Sequence, residues 1–415
     1  MAIFSVFKNT VLLLVFIVSS CGNPSKSNNK DQGAHMSTAS LENEPPIIVG
    51  ANRTEEYLPL LKGKKVAVVA NQTSVLFKDT EPLTYTHIVD SLRALEVDIK
   101  HVFAPEHGFR GEADAGEKVT DGKDEKTGLP IISLYGSNRK PTEEQLQDID
   151  IVLFDIQDVG VRFYTYIATM QLVMEACAAQ NIPVIVLDRP NPNAHYVDGP
   201  TMETKHRGFL GLTNIPLVYG MTIGEYAKMI NEEGMMENQA KVDLTVITLE
   251  NYHRNKDYLL PIRPSPNLPN NTSIYLYPSL GFFEGTNINA GRGTEFQFQR
   301  YGAPFLDSTQ YSFSYTPAPN FGAKSPKHNG EVCYGKDLSQ MPKMDKVDLS
   351  FLLDAYKNST DKTKFFLTSG FTRHAGTEKL QQQIEAGLSQ EEIKASWQED
   401  ISNFKKVRAK YLIYD

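Results

Sequence analysis

Residues 151–188 read IVLFDIQDVGVRFYTYIATMQLVMEACAAQNIPVIVLD. Two short apolar runs, 151–154 and 183–187, flank a helix-like stretch at 168–179. The runs are rich in β-branched and aromatic residues and too short for an ordinary helix, so they read as buried strands. Strand, helix and strand in succession form the crossover unit of a parallel sheet. Similar runs lie upstream at 66–70 and 101–104. A helix-like stretch follows Thr86, with apolar Ile88, Val89, Leu92 and Leu95. Another opens at Thr142, where Gln145 three residues on makes a capping-box pattern. The expectation is an α/β fold built on a mainly parallel sheet with right-handed crossovers.

In such sheets ligands bind beyond the carboxyl ends of the strands. Four polar clusters stand there: Asn71-Gln72-Thr73, Glu106-His107-Gly108, Asp155-Ile156-Gln157-Asp158 and Asp188-Arg189-Pro190-Asn191-Pro192-Asn193. A helix cap or a turn would explain any one of them. Their coincidence at four strand ends points to a site.

The rest of the chain is less regular. Pro261, Pro264, Pro266, Pro269 and Pro278 stand among Asn and Ser residues, a composition that reads as extended, loop-like backbone. The domain junction is placed there, giving a catalytic domain at 47–265 and a smaller α+β domain at 266–415. The last helix is expected to open at Ser389, with Glu392 completing a capping box, and to run through Trp397, Ile401 and Phe404. At the other end, Lys8 precedes the apolar residues 11–18 and then Ser19-Ser20-Cys21-Gly22. That order fits an export signal at 1–21 whose Cys21 becomes lipidated, attaching the protein to a membrane. Residues 22–46 are nearly devoid of apolar side chains and read as a disordered tether. Cys177 and Cys333 read as two separate buried thiols. A net charge of −8 argues against a general nucleic-acid partner.

The chemistry is carboxylate-centred. No glycine-rich dinucleotide or Walker loop, no Gly-x-Ser-x-Gly elbow and no paired metal-ligand spacing occurs, so no cofactor and no metal is expected. Glycoside hydrolysis commonly takes two carboxyl groups, one of which protonates the leaving oxygen. Glu106 suits the acid role, since it follows an apolar strand and Pro105 and precedes a His-Gly turn. The alternative is a carboxylate that caps the next helix or pairs with Arg110. Glu284, in Phe283-Glu284-Gly285-Thr286-Asn287, is a candidate second carboxylate, and Arg292 a candidate clamp for an anionic group. These two could equally form a structural pair on a glycine-rich turn. Glu225 is set aside because Thr222 and Glu225 make a capping box. His107 and His374 read as hydrogen-bonding histidines. Phe163, Tyr164, Tyr166, Tyr275 and Tyr277 could stack on sugar faces or simply pack a core.

Six segments together carry a resemblance. They are APEHGFRG at 104–111, FDIQDVGVRFYTY at 154–166, LDRPNP at 187–192, GMTIGE at 220–225, PSPNLP at 264–269 and EGTN at 284–287. In this order they resemble the exo-β-N-acetylmuramidase family of the NamZ type, across roughly residues 50–415. The resemblance implies a Rossmann-like first domain, a second C-terminal domain and a cleft between them. It implies release of N-acetylmuramic acid from non-reducing ends of peptidoglycan-derived saccharides, with Glu106 as the catalytic glutamate. Glu284, Asp155 or Asp158 would supply the second group, or the substrate's own acetamido oxygen would. Asn71, Gln72, His107, Asp155, Arg162, Tyr164, Asn191, Asn287 and Arg292 are the expected substrate contacts, with Arg162 or Arg292 on the lactyl carboxylate. One departure is local: Asn193-Ala194-His195 stands where the family usually has a Leu-Gly-Gly-like turn. A different class of function, a muropeptide-binding lipoprotein without hydrolytic activity, would share the tether and the cleft.

Overall fold

In the computed structural model, helix α1 (Thr54–Leu61) leads into strand β1 (Lys65–Ala70). A hairpin of β2 (Val75–Thr80) and β3 (Leu83–His87) follows, then α2 (Ile88–Ala94) and β4 (Asp98–Ala104). The chain continues through β5 (Gly122–Lys123), β6 (Pro130–Ser133), α3 (Glu143–Leu146), β7 (Ile151–Asp155), α4 (Tyr166–Gln180), β8 (Val184–Leu187), α5 (Ile223–Glu232) and β9 (Leu244–Ile247). The structure describes residues 44–80, 83–111 and 121–415. The expected leader with Cys21, and the tether up to residue 43, lie outside the described residues.

Seven strands form one sheet in the order β5-β6-β4-β1-β7-β8-β9. All pairs are parallel except β5 with β6. Among the six parallel strands the order is third, second, first, fourth, fifth, sixth, which is the Rossmann order with its switch point between β1 and β7. Alternation of side chains divides the core in two. Val66, Val68 and Ala70 of β1 pack with Tyr57 and Leu61 of α1 and with Ile88, Val89 and Leu92 of α2. Ala67 and Val69 face the opposite cluster, which holds Val173 and Met174 of α4 and Tyr226 and Ile230 of α5. Each fully buried side chain of this kind contributes roughly 1.5–3 kcal/mol, so these two clusters drive folding.

That second cluster continues without a break into the C-terminal region. There α6 (Asn271–Leu280) and a 3₁₀ turn (Gly281–Gly285) precede a three-stranded antiparallel sheet of β10 (Arg300–Ala303), β11 (Phe313–Tyr315) and β12 (Cys333–Asp337). Five helices follow: α7 (Ser350–Lys357), α8 (Thr368–Ala375), α9 (Lys379–Glu385), α10 (Gln390–Ala395) and α11 (Gln398–Arg408). Phe282, Phe283, Phe365, Phe371 and Trp397 share one cluster with the underside of the sheet. Helix α4 is buried from Tyr166 to Gln171 and again from Val173 to Cys177, as befits a helix enclosed on nearly all sides. Cys177 and Cys333 are both buried and unbridged.

Two expectations are corrected. The proline-rich segment is not loop throughout, because α6 begins at Asn271 behind an Asn270–Ser273 capping box. Pro278 is tolerated in its last turn. The hydrogen bond its missing N–H would have given to Ile274 is replaced by one from Asn193 Nδ2, at 3.3 Å. The last helix is two helices. The Ser396 hydroxyl bonds back to the Ile393 carbonyl at 2.6 Å, and Trp397 leaves helical backbone to head α11.

The final residues return to the sheet. Tyr414 Oη donates to Asp188 Oδ2 at 2.7 Å and accepts from Leu249 N at 2.8 Å. Ile413 N donates to Glu225 Oε1 at 2.7 Å, and Arg254 Nη2 to the Tyr414 carbonyl at 2.7 Å.

Candidate active site

The switch-point crevice is closed by the chain itself. Thr73 Oγ1 accepts from Gln157 N at 3.0 Å, and the Ser74 hydroxyl donates to the Asp155 carbonyl. Asn71 and Thr73 are buried. The open cavity, about 510 Å³, lies instead beyond β4 and the start of α4. It is bounded by Glu106 and His107, an aromatic wall of Phe163, Tyr164, Tyr277 and Phe298, the pair Glu284 and Arg292, and residues 205–210 with Arg373 and His374.

Glu106 reaches this place through a sharp turn. After β4, Gly108 N bonds the Pro105 carbonyl at 3.0 Å, and His107 and Gly108 take φ of 70° and 78°. A non-glycine residue in the left-handed region costs about 1–2 kcal/mol, held here by the buried His107 side chain. Thr165, the N-cap residue of α4, donates its hydroxyl to Glu106 Oε2 at 2.8 Å. The alternative pairing with Arg110 does not account for Glu106, since Arg110 is bound to both oxygens of Asp124 at 2.9 and 3.1 Å.

Opposite, the 3₁₀ turn presents Glu284. Arg292 Nη1 contacts Glu284 Oε2 at 3.0 Å. Lys327 Nζ binds the carbonyls of Phe283 at 2.9 Å and Thr286 at 2.6 Å, tying the turn from beneath. Burial would raise the Glu284 carboxyl, but Arg292, Lys327 and His374 together hold it below the ordinary glutamate value. Glu284 is therefore an anion at neutral pH. Tyr164 Oη donates to the Pro264 carbonyl at 2.7 Å and packs edge-on to Tyr166 at 4.8 Å. Phe163 meets Tyr277 at 5.1 Å, and Tyr277 meets Phe298 at 4.8 Å.

Of the catalytic and substrate-contact residues named from sequence, Glu106, His107, Tyr164, Glu284 and Arg292 line this cavity, as do the aromatic candidates Phe163 and Tyr277 and the histidine His374. The remaining catalytic and substrate-contact candidates do not, each for a stated reason. Asp155 is fully buried in a two-pronged ion pair with Arg189, at 2.6 and 2.8 Å. Asp158 Oδ2 accepts from Gly160 N at 2.7 Å and from Tyr219 Oη, and burial pushes its carboxyl up to about 6. Arg162 is enclosed completely and donates to the carbonyls of Leu210, His374 and Ala375, at 3.4, 3.2 and 2.9 Å. Asn71 caps Thr73, while Gln72 Nε2 holds the carbonyls of Arg263 and Pro264 at 3.2 and 3.1 Å. Asn191 donates to Met221 O at 2.7 Å, and Asn287 to Lys364 O at 2.5 Å. Sequence reasoning missed Tyr135, Arg139, Lys205, Arg207, Phe209 and Arg373, which lie on loops or at a helix end without a period to mark them. Among the described residues no group of three or more His, Cys, Asp or Glu side chains is placed to hold a metal ion.

Comparison with known proteins agrees with this architecture. Residues 66–272 match the family model described as exo-beta-N-acetylmuramidase NamZ, N-terminal, and residues 275–414 match its C-terminal counterpart. The chain is 40% identical over 379 residues to the peptidoglycan beta-N-acetylmuramidase NamZ of Bacillus subtilis strain 168, covering 86% of this chain and 89% of that protein. Two crystal structures of DUF1343 family proteins from Bacteroides fragilis NCTC 9343 share the fold. One is 41% identical with a TM-score of 0.81, covering 89% of this chain and 99% of that one. The other is 28% identical with a TM-score of 0.73, covering 89% and 100%. With both family models matched end to end around a carboxylate-bearing cavity, the chain belongs to the exo-β-N-acetylmuramidase family of the NamZ type.

Proposed function

We propose that this chain hydrolyses the terminal β-glycosidic bond of N-acetylmuramic acid at non-reducing ends of peptidoglycan fragments. The observation that carries the reading is Glu106, set on a strained turn at the end of β4 and facing a cavity whose other carboxylate, Glu284, is held ionised. Glu106 gives its proton to the leaving oxygen as the bond from that oxygen to the anomeric carbon breaks. Positive charge then builds on the anomeric carbon and ring oxygen. Glu284 meets that charge directly, or orients the substrate's acetamido oxygen to do so. Water then forms the new bond to the anomeric carbon and gives up a proton to the Glu106 carboxylate, which releases N-acetylmuramic acid and restores the acid. The aromatic wall supplies a face on which a sugar ring stacks. The cavity also suits a non-hydrolytic sugar carrier, but a carrier has no use for a carboxylate on a strained turn. Time-dependent release of N-acetylmuramic acid from its chromogenic β-glycoside tests the reading, and stoichiometric binding without release would overturn it.

The order of basic residue, apolar run and Ser19-Ser20-Cys21 supports lipidation of Cys21. The enzyme would then work at the cell envelope, on the periplasmic side of a bacterial membrane, on saccharides released from the wall. The division into a catalytic part up to residue 265 and a C-terminal part that closes the cleft belongs to the same proposal.

A further inference from the structure

The chain carries a net charge of −8, yet its cavity is lined by five Lys and Arg side chains against two carboxylates. Two of the five cations are already engaged. Arg292 is paired with Glu284, and Lys205 lies 3.1 Å from Glu378. The remaining three are Arg139, Arg207 and Arg373. Among the described residues none of these has a carboxylate within ion-pair distance.

Their settings differ in a useful way. Arg139 places its guanidinium carbon over the Phe209 ring, 4.4 Å from its centre, a cation–π contact that restrains the group. Arg207 is steadied by one hydrogen bond to the Asn214 side chain. Arg373 is exposed in the last turn of α8, beside His374. Buried Arg162, one of the two arginines offered by the sequence as an anion reader, instead holds the Leu210 and His374 carbonyls. Three exposed, unpaired guanidinium groups around one cavity of an acidic protein concentrate positive potential where the substrate enters.

We propose that Arg139, Arg207 and Arg373 form an anion subsite that binds the lactyl carboxylate of the substrate, the one charge that separates N-acetylmuramic acid from N-acetylglucosamine. The inference rests on the muramidase reading. A guanidinium fork binds a carboxylate through two parallel hydrogen bonds, which a neutral lactyl amide cannot reproduce. A peptide-bearing muramic acid has that carboxylate converted to an amide, so the subsite selects peptide-free ends.

The test compares kcat/KM on the chromogenic β-glycoside of N-acetylmuramic acid with that on its lactyl N-methylamide and on the glycoside bearing a stem dipeptide. Arg139→Gln, Arg207→Gln, Arg373→Gln and the triple variant are measured beside the wild type. The wild type is expected to favour the free acid, in a manner weakened by salt. At least one single variant and the triple variant should lose ~10- to 100-fold on the acid and stay within about twofold on the methylamide. Equal losses on both, or no loss in the triple variant, overturn the subsite. A wild type that prefers the dipeptide substrate also overturns it, because the arginines would then serve peptide carboxylates. A wild type that cleaves none of the three overturns the muramidase reading itself, a failure distinct from that of the subsite.

Discussion

The Thr165 hydroxyl donates to Glu106 Oε2 across 2.8 Å, joining the N-cap of crossover helix α4 to the turn after β4, two strands away from β7 in the sheet. That bond fixes one carboxylate oxygen and leaves the carboxyl group on the cavity wall. Glu106→Gln preserves shape and removes the proton donor. Turnover on a substrate with a poor leaving group should fall by about 10²–10⁴-fold, with ligand binding and melting temperature little changed. Turnover close to that of the wild type would remove Glu106 from the acid role.

Glu284 is half-buried, and its charge depends on the cations around it. Its folded pKa lies below the ordinary value, so it stays ionised as pH falls through the usual glutamate range. In Arg292→Gln the largest remaining influence is burial, which acts upward. The acid limb of the kcat/KM profile should therefore move to higher pH. An unmoved limb in this variant would mean that ionised Glu284 does not contribute to the reaction.

Asp155 and Arg189 form an ion pair that is almost wholly buried, between β7 and the loop after β8. Removing one partner strands the other charge, at a cost of about 3–5 kcal/mol. Arg189→Met should lower unfolding free energy in urea by that amount, and the added change Asp155→Leu should restore part of it. A loss under about 1 kcal/mol in the single variant would show that the pair is not a structural requirement.

Cys21→Ser should abolish incorporation of a fatty-acid analogue and shift the protein out of the detergent phase. Labelling at the level of the wild type would place the lipid elsewhere or nowhere.

What the sequence revealed follows from the physics of parallel sheets. Runs such as 66–70 and 151–154 are apolar on both faces because both faces are covered, and so they stood out. The polar residue after each run was then a site candidate by position alone. For Glu106 the position sufficed. For Asp155, Asp158 and Asn191 it did not, because their partners Arg189, Tyr219 and Met221 stand 34, 61 and 30 residues away. Arg162 misled for the same reason, with acceptors as far off as Ala375. Conversely, Arg139 and Arg373 have no helical or strand period to announce them, and only folding brings them to one wall. Pro278 hid α6, since its missing donor is compensated by Asn193 from another part of the chain.

The return of residues 413–415 to the sheet sets a time order on biogenesis. Asp188, Glu225 and Arg254 are buried polar groups whose full complement of partners includes Tyr414 and its neighbours. While a nascent chain is still shorter than this, the sheet core can collapse, but those groups lack part of their partners and rely on Thr222, Gly224 and each other. Such a half-finished form pays for buried polar atoms and gains little from closing early. Truncation after residue 412 removes these contacts and is expected to give a chain that collapses but is readily digested by protease.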